Sequence, residues 1–146
     1  MTSHLRIRPG RPSDAAFLVE MARFASVIED RPLPPPDDPE LQLPSSPDAV
    51  VVAEPELGAA WWTFVEPPLV AGAPELVVAV TPTARGRGLG GALLDALAAR
   101  AAEAGHHHLA LNVHIRNPAA RLYSRTGFVV AGKGRGPLGV AMVRQL

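Results

Sequence analysis

The sequence predicts an α/β fold of the α+β kind, a single domain over residues 1–146 in which a mixed, mostly antiparallel sheet of six to seven strands is flanked by helices. Three observations predict it. The chain has 146 residues, 47% of them hydrophobic, which is enough for one closed core and well outside the range of disordered chains. Its short apolar runs outnumber its helical stretches, and several are joined by turns short enough to favour antiparallel neighbours. One apolar run, Glu75 to Val80, instead passes through glycines directly into a helix.

In order along the chain, Leu5-Arg6-Ile7-Arg8 alternates apolar with charged, as a half-buried strand does, and Pro9-Gly10 ends it. Ser13 is expected to cap a helix whose apolar positions Phe17, Leu18, Met21, Ala22 and Phe24 recur at helical spacing as far as Val27 or Ile28. Arg31 to Pro47 holds seven prolines with Asp37, Asp38 and Glu40 and reads as a long surface loop. Strands are expected at Ala49 to Ala53, Gly58 to Val65 and Glu75 to Val80. A helix from Leu89 to about Ala104 stops at Gly105, and a strand follows at Leu109 to Val113. Asn117 to Arg125 is a short helix stopped at Gly127, before two last strands at Phe128 to Ala131 and Val140 to Val143.

Charge and composition exclude several functions. Basic and acidic residues balance at 14 each, and Lys133 is the one lysine, so no general field favours nucleic acid or an anionic membrane. The absence of cysteine removes disulfides, thiolate metal sites and a cysteine nucleophile. The N-terminal residues lack the apolar core of a signal peptide, and no apolar run approaches a membrane span, so the expected compartment is the cytoplasm.

The chemistry concentrates in Val80-Thr81-Pro82-Thr83-Ala84-Arg85-Gly86-Arg87-Gly88-Leu89-Gly90-Gly91. The unpaired N–H groups of a helix's first turn, with its dipole behind them, bind anions. Glycines let those amides approach phosphate oxygens, and Arg85 and Arg87 can add charge-assisted bonds to the same oxygens. Gly86, Gly88 and Gly91 satisfy the G-x-G-x-x-G pattern of dinucleotide-binding folds, but the context is wrong. The pattern follows at least three strands and a helix, and the next strand ends Leu111-Asn112-Val113-His114 without the carboxylate a ribose would need. Leu89-Gly90-Gly91 is not the Gly-Lys-Ser/Thr of a Walker loop either.

Arg85-Gly86-Arg87-Gly88-Leu89-Gly90 resembles the Gln/Arg-x-x-Gly-x-Gly/Ala signature of the GCN5-related N-acetyltransferase (GNAT) superfamily, with Val80-Thr81-Pro82 before it and Ala92-Leu93-Leu94 after it. About 30 residues on, Asn117 to Tyr123 and Gly127-Phe128 resemble that family's Asn…Leu-Tyr…Gly-Phe motif. The resemblance implies acetyl-CoA as co-substrate and direct attack by an acceptor amine, whose identity the sequence does not reveal. It also implies a sheet splayed at the cofactor-binding strand, where backbone groups of Val78, Ala79 and Val80 hold the pantetheine arm. The pyrophosphate would then rest on Arg85, Gly86, Arg87, Gly88, Leu89, Gly90 and Gly91, with a further cofactor contact from Asn117, which lies one residue closer to the tyrosine than in the commonest spacing.

Tyr123, the only tyrosine, is the expected proton donor to the leaving thiolate; otherwise it is a core residue with its hydroxyl tied to backbone. Glu75, opening the cofactor strand, is either the base that deprotonates the amine or a solvated strand-end carboxylate. Ribosomal-protein-type relatives use a Glu on the following strand, and Leu111-Asn112 lacks it; His114 is a substitute by chemistry. A non-catalytic CoA-binding regulatory domain is the alternative reading. No metal site is expected: His106, His107 and His108 enter a strand and cannot converge on one ion. Trp61 and Trp62 alternate faces, one in the core and the other on a substrate wall or in a homodimer contact. Asp37, Asp38 and Glu40 either attract a cationic amine or are simply solvated.

Overall fold

A computed structural model describes residues 6–26 and 32–146. The expectations for Leu5, Val27, Ile28 and Arg31 lie outside these residues. Seven strands form one sheet: β1 (Arg6–Pro9), β2 (Val50–Glu54), β3 (Gly58–Thr63), β4 (Glu75–Val80), β5 (His108–His114), β6 (Val129–Lys133) and β7 (Gly139–Gln145). Their order across the sheet is β1-β2-β3-β4-β5-β7-β6. Every neighbouring pair is antiparallel except β4 and β5. That pair is parallel because the chain must return through a helix, α2 (Leu89–Glu103), before β5 begins. The remaining helices are α1 (Ala15–Ala25) and α3 (Ala119–Arg125).

Helices cover both faces of the sheet, and period-two alternation sends successive side chains to different clusters. On one face Leu18, Met21 and Ala22 of α1 meet Val50, Val52, Ala59, Trp61 and Ala79. On the other, Leu93, Leu94 and Leu97 of α2 meet Val51, Ala60, Trp62, Leu76, Leu109 and Leu111. Trp61 and Trp62 therefore point to opposite faces as expected, yet both are core: their relative exposures are 0% and 5%. The indole N–H of Trp61 donates to the Gln42 carbonyl at 3.0 Å, pinning the proline-rich loop over α1. Neither tryptophan is left for a substrate wall or a dimer contact.

The start of α1 departs from the expected Ser13 cap. Pro12–Asp14 form a single 3₁₀ turn, and the Asp14 carboxylate accepts from the Arg11 backbone N–H at 2.7 Å. Arg8 on β1 forks onto the same carboxylate at 2.7 and 2.8 Å. The hydrogen bond from Arg8 holds the buried Asp14 carboxyl below its ordinary range. Its stabilisation is therefore complete above the ordinary aspartate value, near pH 4, and is lost as pH falls through the depressed one. Asp14→Asn should cost about 2 kcal/mol in urea unfolding at pH 7, and the gap from wild type should narrow at acid pH. An unchanged midpoint would remove the pair from the account.

Candidate active site

The parting of β4 from β5 creates the site. β3 pairs with β4 over six registered positions and β5 with β7 over seven, whereas β4 touches β5 at one, Glu75 opposite Ala110. There the Ala110 N–H donates to the Pro74 carbonyl at 2.9 Å. Beyond that bridge the strands diverge and leave a cleft of about 630 Å³, walled by Leu76 to Val78 of β4 and Leu111 to His114 of β5. Strand backbone groups alternate sides. Because Pro74 faces β5, so do the N–H and C=O groups of Leu76, Val78 and Val80, while Thr81 donates to Leu57 on the β3 side at 2.8 Å. Val78 thus presents its backbone to the cleft, and the Val80 N–H faces the same way while its carbonyl accepts from Arg85 Nε. Ala79 does not: its backbone belongs to the β3 ladder opposite Ala59 and its side chain to the α1 core.

β4 leads through a 3₁₀ turn, Pro82–Ala84, into the glycine-rich segment. Ala84 and Leu89 are buried and anchor its two ends, so Leu89 can offer a ligand only its backbone. Between them Arg85, Gly86, Arg87 and Gly88 are exposed. Gly86 and Gly88 sit at φ +81° and +78°, a conformation that favours glycine, with nothing near the space a Cβ would occupy. The first bond of α2 runs from Ala92 N–H to the Gly88 carbonyl, so the N–H groups of Leu89, Gly90 and Gly91 have no partner within the helix. Gly90 also serves packing: a Cβ there would come within 2.9 Å of Leu122 on α3. Arg85 Nε lies 3.3 Å from the Val80 carbonyl, folding its stem back along the cradle.

Tyr123 lines the cleft from α3, edge-on to Phe128 with ring centroids 6.0 Å apart. Burial pushes its phenol above the ordinary value, so it is a protonated donor at neutral pH. No side-chain hydrogen bond among the described residues ties its hydroxyl to backbone. Asn117 also lines the cleft, but its Oδ1 accepts from the Ala119 N–H at 2.9 Å in a local turn before α3, leaving its amide nitrogen for any ligand.

Glu75 is 3% exposed, and its carboxylate takes both arms of the Arg135 guanidinium and the Leu69 N–H. Glu75 is therefore not a solvated strand end, and both of its oxygens are engaged. Pairing with Glu75 in turn raises the Arg135 guanidinium above its ordinary value. His114 turns its Nδ1 to the Arg116 backbone N–H at 3.1 Å, which leaves the proton of the neutral ring on Nε2. His106 packs edge-on against Trp62 at 5.3 Å. Asp38 and Glu40 line the α1 side of the cleft.

This arrangement is an open strand edge ending in an exposed, arginine- and glycine-rich turn at a helix N-terminus. The chain matches the model of the acetyltransferase (GNAT) domain over residues 47–130, more than half its length. It belongs to the GNAT acetyltransferase family. The matched span carries both cleft strands, the cradle and α3. Among solved structures, yncA from Salmonella typhimurium, determined with acetyl-CoA, shares 24% identity, with TM-score 0.73 over 99% of this chain and 95% of its own. A GNAT acetyltransferase from Streptococcus pneumoniae shares 25%, with TM-score 0.70 over 98% and 100%. A GCN5-related N-acetyltransferase from Kribbella flavida shares 24%, with TM-score 0.70 over 97% and 98%. No protein of curated function matches the sequence. Among the described residues of this GNAT chain no helix is long and apolar enough to cross a membrane.

Proposed function

We propose that this GNAT domain is an N-acetyltransferase that carries the acetyl group of acetyl-CoA to a primary amine by direct attack. The observation that carries the reading is the single bridge between β4 and β5, beyond which the backbone of Val78 and the N–H of Val80 face the opening without a strand partner. Bound acetyl-CoA supplies an activated acetyl thioester. Arg85, Arg87 and the amides of Leu89 to Gly91 hold its pyrophosphate, and the open space above Gly86 and Gly88 accommodates it. Val80 and Val78 pair with the pantetheine arm. The Val78 N–H faces the thioester oxygen as charge develops there. Tyr123 gives its proton to the departing sulfur.

The amine must arrive neutral, and both oxygens of Glu75 are engaged by Arg135 while His114 Nδ1 accepts from the Arg116 N–H. With an ordinary amine value of about 10.4, the neutral fraction at pH 7 carries a cost of about 4.6 kcal/mol. log(kcat/KM) should therefore climb with a slope near one from neutral to about pH 9, as the neutral amine grows tenfold per unit. A plateau beginning near neutrality would reveal a base within the protein. Asp38 and Glu40 suit an acceptor that bears positive charge. The expected compartment remains the cytoplasm.

The commitment of Glu75 to Arg135 keeps the second reading, a CoA-binding regulatory domain without turnover. Calorimetric titration with acetyl-CoA, followed by thiol release across small amines, aminoglycosides and peptide N-termini, separates the two. We expect saturable binding and release above the blank. Binding without release favours the regulatory domain, and no binding overturns both.

A further inference from the structure

The single β4–β5 bridge divides the sheet into two halves, β1 to β4 and β5 to β7. Among the described residues, two arginines carry side-chain hydrogen bonds between the halves: Arg144 of β7 reaches Asp95 on α2, which packs over the first half, and Arg135 makes the tie inside the cleft. This residue lies in the turn between β6 and β7 and so moves with the second half. Its backbone N–H donates to Asn112 Oδ1 on β5 at 2.8 Å. Its guanidinium reaches across the cleft floor to both oxygens of Glu75 and to the Pro67 carbonyl at 3.0 Å. The far end is fixed in turn, since Glu75 is buried and also accepts from the Leu69 N–H at 3.1 Å. The turn has no slack at this point: a Cβ on Gly134 would overlap Asn112 Oδ1, and one on Gly139 would overlap the Arg135 carbonyl.

We infer that Arg135 is a positioning residue for acyl transfer, tying Asn112 on β5 to Glu75 on β4 and so setting how far the two strands open. The inference rests on the acetyl-transfer reading of the cleft. A planar fork suits the task, because it spans two carboxylate oxygens and a carbonyl in one fixed geometry, whereas a lysine offers a single point of charge. The tie is made next to the one bridge, at the apex of the opening. A small change of angle there is magnified along β4 toward Val78, whose N–H must meet the thioester oxygen. Arg135 itself touches neither the cradle nor the acetyl group.

The test uses the intact chain carrying Arg135→Lys and, separately, Asn112→Ala, which removes the other leg at an exposed position. The probe is acetyl-CoA labelled with ¹³C at its carbonyl. Difference infrared spectroscopy reads the thioester stretch of the bound probe, and calorimetry reads its affinity. In the wild type a carbonyl held by the β4 amide absorbs below free acetyl-CoA. Both variants should bind within about threefold of wild type, because the cradle is untouched, while the band moves back toward the free position. A band that keeps its wild-type frequency in both variants overturns the proposal, whatever their melting temperatures, since a tie that serves stability alone gives that result. A wild type that binds no acetyl-CoA overturns the transfer reading together with this one.

Discussion

Arg87→Glu is expected to weaken acetyl-CoA binding about a hundredfold, read as a dissociation constant by calorimetry. Arg87 stands between two glycines held at positive φ, in an exposed segment whose neighbours Ala84 and Leu89 are anchored in the core. Its side chain has no structural duty among the hydrogen bonds of the described residues, so the substitution should leave folding intact. On the proposed reading, it replaces a pyrophosphate donor with a carboxylate. The loss should shrink as salt rises, because the interaction is between solvent-exposed charges. Unchanged affinity would take the phosphates out of the segment from Arg85 to Gly91, and the orientation of the thioester in the cleft would go with them.

Tyr123→Phe is expected to lower turnover about a hundredfold while leaving acetyl-CoA affinity and melting temperature close to wild type. The ring keeps its edge-on contact with Phe128, and no hydrogen bond from the hydroxyl is broken. On the proposed reading, what is lost is the proton donor to the leaving sulfur. Burial raises the phenol above its ordinary value, so the hydroxyl keeps its proton through the neutral range. Turnover at the wild-type rate would make Tyr123 a packing residue.

The parts of this site that were legible in the sequence are those written locally. Strand β4 falls on the expected residues, Glu75 to Val80, because six consecutive apolar or strand-opening residues end at a proline-bearing turn. The cradle was legible because glycines, arginines and a helix start lie next to one another in the chain. What depends on a distant partner was not. Glu75 looks like any strand-end carboxylate until Arg135, 60 residues away, is folded against it. Arg135 carried no signal of its own, a lone arginine in the glycine-rich loop from Gly132 to Gly139. The exclusion of Ala79 needed the facing of β4, which one hydrogen bond from Ala110 to Pro74 fixes. Trp61 and Trp62 alternate faces as neighbours in a strand must, but the burial of both depends on α1 and α2 covering the two faces of the sheet. At Ser13 the fork from Arg8 to Asp14 prevailed over a local cap.

The most direct test of the central claim is a residue-resolved one: ¹H–¹⁵N spectra of the chain titrated with acetyl-CoA. The amides of Val78, Gly86, Gly88, Gly90 and Gly91 should shift together with one saturation curve, while that of Ala79, engaged with β3, should move less than its neighbour Val78. Saturable binding that leaves Val78 and the cradle glycines unmoved would contradict the account.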